Sequence, residues 1–146
     1  MDNDKVDLLI VEDNPDDVIL MQESLLEAGV NVNLSAVEDG VEAMAFLRRE
    51  GRYADAPCPD LILLDLNMPR KSGHEVLAEV KADERLKLIP VVILTTSQAQ
   101  EDVLKAYNMH ANCFVTKPVD LDAFIHVIHS IDNFWLHVAR LPAAIV

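Results

Sequence analysis

The chain has 146 residues, a one-domain length, and its 51% hydrophobic and 25% charged content suits one packed core and excludes a disordered chain. The formal net charge is −13, with acids spread throughout and no basic run longer than Arg48-Arg49 or Arg70-Lys71, so direct nucleic-acid binding is excluded. Cys58 and Cys113 lack zinc-ligand spacing and make no disulfide framework; the acidic start Met1-Asp2-Asn3-Asp4-Lys5 leads into no signal peptide or membrane span, which predicts a cytoplasmic protein away from membranes.

Strand-like and amphipathic segments alternate five times, the pattern of repeated βα units around a parallel sheet. The first strand is Leu8 to Val11, ending in Glu12-Asp13. Asn14 then offers an N-cap, Pro15 a first helical residue, and Asp16-Asp17 negative charge at the positive end of the helix dipole. Val18, Met21, Leu25 and Ala28 form one core-facing stripe, and Gly29 stops the helix. Val32 to Val37 alternates in polarity and reads as the half-exposed edge strand, the other four strands filling the buried part of the sheet. A second helix follows Asp39-Gly40 and carries Ala43, Phe46 and Leu47. The polar, Pro-containing loop from Gly51 to Pro59 is expected at the end of the sheet opposite the site, as spacing or partner-facing surface.

The third strand, Leu61 to Leu64, ends in Asp65; the fourth, Val91 to Leu94, ends in Thr95-Thr96; the fifth, Cys113 to Val115, is followed by Lys117-Pro118. Apolar residues of the last helix run from Leu121 to Leu141 in two stripes. Leu121, Phe124, Ile125, Ile128 and Trp135 make one; Val127, Ile131, Phe134, Val138 and Leu141 make the other, at the spacing of a coiled-coil seam. A single sheet needs only one stripe, so the second predicts a homodimer through the C-terminal helix; the alternative is a helix end folded back on its own domain.

Open α/β sheets bind ligands beyond the carboxyl ends of their strands, so the strand-end acids, hydroxyl and ammonium converge on one pocket. Three carboxylates alone repel one another and raise one another's pKa; a divalent cation removes the conflict. Glu12, Asp13 and Asp65 match the one or two carboxylates plus waters that Mg²⁺ takes, and Asp65 becomes the candidate nucleophile towards phosphorus. Thr95 and Lys117 are the donors to phosphate oxygens, with Pro118 restricting the backbone at Lys117 and an X-Pro bond open to the cis form.

With these residues in place, the chain resembles the receiver domain of two-component response regulators from about Val6 to Ile131. The family's acid pair falls on Glu12 and Asp13, its phosphoacceptor on Asp65, its switch hydroxyl on Thr95 and its pocket lysine on Lys117, with family spacing from Asp65 onward. The resemblance implies a doubly wound, flavodoxin-like fold with a five-stranded parallel sheet and an extended C-terminal helix. It makes residues 1–146 a single receiver domain, with 132–146 as a C-terminal extension. It adds the backbone carbonyl of Asn67 to the metal shell and assigns Phe114 the aromatic that turns inward with the switch hydroxyl. By the same resemblance, a sensor histidine kinase supplies the phosphoryl group, the chain catalyses only its own phosphorylation and dephosphorylation, and it signals by contact or by passing the phosphate on.

Two departures, a longer interval between Asp13 and Asp65 and the Phe134-Trp135-Leu136 extension, resemble the single-domain regulators paired with bacterial phytochromes, which dimerise through their C-terminal regions. Glu12 stands where an aspartate is usual, and its extra methylene favours a metal contact through water. Two rival functions are a phosphatase of the haloacid type, which would need an acid where Asn67 stands, and a receiver-like interaction module, which would lack a pocket residue. Ser97 lies near the path of an attacking water; His74 reads as ordinary, and His126 and His129, with no third metal ligand in the motif, as exposed surface.

Overall fold

The computed structural model describes residues 5–27, 29, 32–97 and 99–142, and the side chains of all of these except 137 and 138. Five strands, β1 (Val6–Val11), β2 (Val32–Val37), β3 (Leu61–Leu64), β4 (Val91–Thr95) and β5 (Cys113–Thr116), alternate with helices α1 (Pro15–Glu27), α2 (Gly40–Arg48), α3 (Gly73–Ala82), α4 (Gln100–Asn108) and α5 (Leu121–Ile131). All strand pairs are parallel and the order is β2-β1-β3-β4-β5. Strand order reverses between β1 and β3, so the crevice that such sheets use for ligands opens where Glu12-Asp13 and Asp65 leave the sheet.

Successive strand residues face opposite sides, and both sides are covered, which is why β1, β3 and β4 are almost uninterrupted in apolar residues. Leu9, Ile62, Leu64 and Ile93 pack with Phe46 and Leu47 of α2, Val76, Leu77 and Val80 of α3 and Ala106 of α4. Leu8, Ile10, Leu63 and Leu94 pack on the other side with Met21 and Leu25 of α1 and Phe124, Ile128 and Ile131 of α5. Each fully buried Leu or Ile among them is worth roughly 1.5–3 kcal/mol of transfer free energy, so the sheet holds the strand ends firmly in register.

The helix starts follow the local chemistry. The Asn14 side chain accepts from the Asp16 amide at 3.0 Å, Asp39 from Glu42 at 2.9 Å, and Ser72 and Glu75 form a reciprocal capping box at α3. The turn after α1 has Gly29 at φ 72, a conformation glycine adopts without steric cost. Val18 is partly buried on the α1 face as expected; Ala28 lies outside the described residues.

Three expectations need correction. β2 is an edge strand as predicted, but β5 is the other edge: Cys113 to Thr116 are all only partly buried, because no strand covers their far side. The loop after α2 is not wholly remote from the site. A short 3₁₀ turn at Gly51–Tyr53 lets the Tyr53 ring pack tilted against Phe46, centroids 5.4 Å apart, and reach, with Arg52, back to Glu42 in the first turn of α2. The last helix is not a uniform rod either. After Ile131 it widens into a π-helical segment, Asp132–Val138, closed by the Ala139 amide donating to the Phe134 carbonyl at 2.7 Å.

Ile131 and Leu141 of the second stripe are buried in the same chain, and Val127, Trp135 and Leu136 pack partly against the core side shared with α1. Phe134 is half exposed, and the side chain of Val138 lies outside the described residues. The stripe thus does not wait as a whole for a partner; much of it is satisfied by fold-back. Among the described residues no helix is long and apolar enough to cross a membrane.

Candidate functional site

Parallel pairing delivers the polar groups to one end of the sheet. The Glu12 amide donates to the Val37 carbonyl at 3.0 Å, the Asp65 amide to Val11 at 3.0 Å and the Lys117 amide to Thr95 at 2.7 Å, so each functional residue is the first past a ladder rung. One carboxylate oxygen from each of Glu12, Asp13 and Asp65 lies within 4.8 Å of the others. Glu12, Asp65, Thr95 and Lys117 are buried, while Asp13 is exposed at the rim.

The Asp65 carboxylate is oriented. Its Oδ1 accepts from the Leu66 amide at 2.8 Å, and Oδ2 lies 3.8 Å from the Lys117 ammonium. Gly73 makes this turn possible: its amide donates to the Leu66 carbonyl at 2.9 Å, and a Cβ there would collide with the Asp65 carbonyl oxygen. Gly40 does the same for the other flank, pressed against the Lys71 carbonyl. Asp39 joins both flanks, capping α2 with one oxygen and accepting from Arg70 at 2.9 and 2.7 Å with the other. Burial works to raise the Asp39 carboxyl, but the Glu42 amide and Arg70 prevail and hold it below its ordinary value.

Lys117 is the cation at the centre. Its ammonium donates to Glu12 and, at 3.0 Å, to Asp17 in the first turn of α1. Burial disfavours that charge, yet the contacts with Glu12 and Asp17 and the field of Asp65 outweigh it and leave the ammonium more firmly protonated than usual. Burial pushes the Glu12 carboxyl up to about 7; Asp65's charge adds to the rise, and Lys117 and the Asn14 amide oppose it. Three acids gathered this closely with one ammonium suit an added hard divalent cation: the set offers oxygen donors only, and an open rim at Asp13 for water and phosphate oxygens. Thr95 Oγ1 accepts from the Ser97 amide at 3.5 Å.

Of the residues predicted for the site, Glu12, Asp13, Asp65 and Lys117 are brought together, and Thr95 ends the neighbouring strand. Asn67 is exposed on the β3–α3 loop. Phe114 is partly buried on β5, against the side of the core that carries α2, α3 and α4. The Lys117-Pro118 bond is trans, and His126 and His129 are exposed. Asp17 was missed as a partner of Lys117, since an acid in a first helical turn is explained by the dipole alone. Beside the acids, a groove of about 340 Å³ is lined by Asp13, Val18, Ile19, Glu42, Arg52 and Tyr53. Arg52 and Tyr53 there come from the long loop.

Comparison with known proteins agrees with this geometry. The response regulator receiver domain family matches residues 8–129. The chain is 47% identical over 137 residues to response regulator Rcp1 of Synechocystis sp., covering 94% of this chain and 93% of the relative. It is 36% identical over 136 residues to the probable methanogenesis regulatory protein FilR2 of Methanothrix harundinacea, covering 92% and 86%. Among solved structures, the phosphorylated cyanobacterial phytochrome response regulator RcpA superposes with a TM-score of 0.92 at 48% identity, covering 94% of this chain and 99% of that one. The Mn²⁺-bound form of Rcp1 gives 0.91 at 45% identity, with the same coverage. The family model spans most of the chain and the fold superposes on solved response regulators, so the chain belongs to the response regulator receiver domain family.

Proposed function

We propose that this chain is a single receiver that takes a phosphoryl group on Asp65 from a sensor histidine kinase. The observation that carries the reading is the fixed Asp65 carboxylate, one oxygen held by Leu66 and the other facing Lys117, beside Glu12 and Asp13. An Asp65 oxygen forms the bond to phosphorus, and the bond to the donor imidazole nitrogen breaks with its electron pair staying on nitrogen. Glu12, Asp13, Asp65 and the Asn67 carbonyl would hold Mg²⁺, which when bound neutralises charge on the phosphoryl oxygens. Lys117 and Thr95 supply donors to those oxygens, and the Thr95 hydroxyl exchanges its contact with the Ser97 amide for one to phosphate. Phe114 turns with it, so that a local charge biases a two-state surface that signals by contact or by onward phosphotransfer.

The likeness to the cyanobacterial phytochrome response regulator RcpA supports a phytochrome as the kinase. Catalysis would be confined to the chain's own phosphorylation and dephosphorylation. The half-exposed Phe134, beside Trp135 at 5.3 Å, supports a homodimer through the C-terminal region, with a smaller apolar contact than two whole stripes would give. A phosphotransfer assay tests the reading: an autophosphorylated phytochrome histidine kinase should lose its label to the wild-type chain with Mg²⁺ and to Asp65→Asn not at all. Label retained on the kinase in both cases would contradict it.

A further inference from the structure

Glu12 and Asp13 belong both to the acid cluster and to the groove of about 340 Å³ beside it. Part of the groove's lining is apolar: Val18 and the half-exposed Ile19 of α1, with Ala36 and Val37 at the end of β2. Glu38, exposed just past β2, lines it too, and Glu42 of α2 completes it with Arg52 and Tyr53 of the long loop. The last three hold one another. Arg52 lies over the Tyr53 ring, 4.9 Å from its centre, and donates to Glu42 and, at 2.7 Å, to the Tyr53 hydroxyl, which donates to Glu42 at 3.2 Å.

The charges in the groove do not cancel. Arg52, the one cation in its lining, is paired with Glu42, and Glu12 is paired with Lys117. Asp13 and Glu38 have no ion-pair partner among the described residues. Asp13 is drawn into the acid cluster, which leaves Glu38 as an anion that the phosphoryl chemistry does not use. An apolar surface beside an unpaired acid suits a long-stemmed cation, since Lys and Arg lay their methylenes on apolar atoms and keep the charged head in a polar setting. The position narrows the partner further. A kinase that brings its phosphoimidazole to Asp65 must cover the rim at Asp13, which is also the rim of this groove.

We propose that the groove is a docking site for the phosphodonor kinase and takes an Arg or Lys side chain from it, the stem on Val18 and Ile19 and the head at Glu38. The inference rests on Asp65 being the acceptor of a kinase's phosphoryl group. Arg52 tempers the site, because by holding Glu42 it reduces the negative charge that the incoming cation meets. The long loop thus takes part in partner choice through Arg52 and Tyr53.

The test compares two phosphoryl donors, an autophosphorylated phytochrome histidine kinase and acetyl phosphate, which has no side chain to place in the groove. Glu38→Lys should raise KM for the receiver in transfer from the kinase about three- to tenfold, with kcat within about twofold, as reversal of one rim charge does. Its uptake from acetyl phosphate should not fall. Arg52→Met, which frees Glu42, should move KM the other way, lowering it about twofold. Added salt should raise KM more for wild type than for Glu38→Lys. An unchanged or lowered KM in Glu38→Lys, or a raised KM in Arg52→Met, would overturn the proposal. So would an equal loss of uptake from acetyl phosphate in Glu38→Lys, which would place the effect in the phosphoryl pocket. A dimer that Glu38→Lys dissociates in analytical ultracentrifugation at unchanged KM would give the groove to a second copy of this chain. Wild type labelled by acetyl phosphate but never by the kinase would overturn the phytochrome reading and this inference with it, leaving Asp65 as acceptor.

Discussion

The carboxyl end of the sheet and the last helix use their surplus groups in opposite ways. At the sheet end, Glu12, Asp17, Asp65 and Lys117 are held by strand and helix backbones in a cluster that its own members satisfy only in part, with Glu12 raised to about 7. Along the last helix, much of the apolar surplus is satisfied within the chain: Ile131 is buried at the end of α5 and Leu141 beyond the π-helical segment. Polar groups need partners of fixed geometry, so rigid strands leave them poised for a ligand. Apolar groups need only area removed from water, which a modest change of helical pitch provides.

The sharpest way to break this contrast is in the helix. Ile131→Ala should cost about 3 kcal/mol in urea unfolding, since its side chain is core, whereas half-exposed Phe134→Ala should cost under about 1 kcal/mol. If the C-terminal region forms a dimer, Phe134→Ala should also weaken self-association in analytical ultracentrifugation while Ile131→Ala acts through unfolding. Equal unfolding costs would contradict the burial of Ile131 in the core.

At the sheet end, Gly73→Val should destabilise by about 2 kcal/mol and slow phosphoryl uptake together, because the added carbons displace the Asp65 backbone. A variant with normal uptake would detach the glycine from the site. Metal binding should depend on pH in the direction set by Glu12. Its carboxyl, raised to about 7, takes up a proton below that pH, and metal must then displace it. Titration calorimetry with Mg²⁺ should show affinity falling by up to about tenfold per unit below about pH 7 and levelling above it. A flat profile between pH 6 and 8 would remove Glu12 from the metal shell.

The smallest effect belongs to Asp39. Asp39→Ala should cost about 1 kcal/mol through the lost cap. Its folded pKa is depressed, so its contribution is present above the unfolded value of 3.8 and fades as pH falls through the lower folded value. Stability curves of wild type and Asp39→Ala should therefore converge in strong acid.

The sheet and most of the site were legible because the same signal marks both. A short apolar run ending abruptly in Asp65, Thr95 or Glu12 tells where a buried strand stops and what it presents. Helix caps at Asn14, Asp39 and Ser72 were equally local. Contacts that join distant elements left no such mark. Nothing in a first-turn Asp17 announces Lys117, and nothing local to His74 or Asp102 announces that they meet between α3 and α4. Arg52 and Tyr53 returning to Glu42 depended on a single tight turn, and the two stripes of the last helix were read at a uniform helical pitch that the π-helical segment does not keep.

The most direct measurement is peptide-mapped mass spectrometry of the protein treated with acetyl phosphate, with Mg²⁺ or with EDTA, comparing wild type and Asp65→Asn. A single phosphoryl adduct on the peptide containing Asp65, present only in wild type with Mg²⁺, is the expected result. An adduct that survives Asp65→Asn or EDTA, or no adduct on wild type under any condition, would contradict the assignment of this strand-end carboxylate as the phosphoryl acceptor.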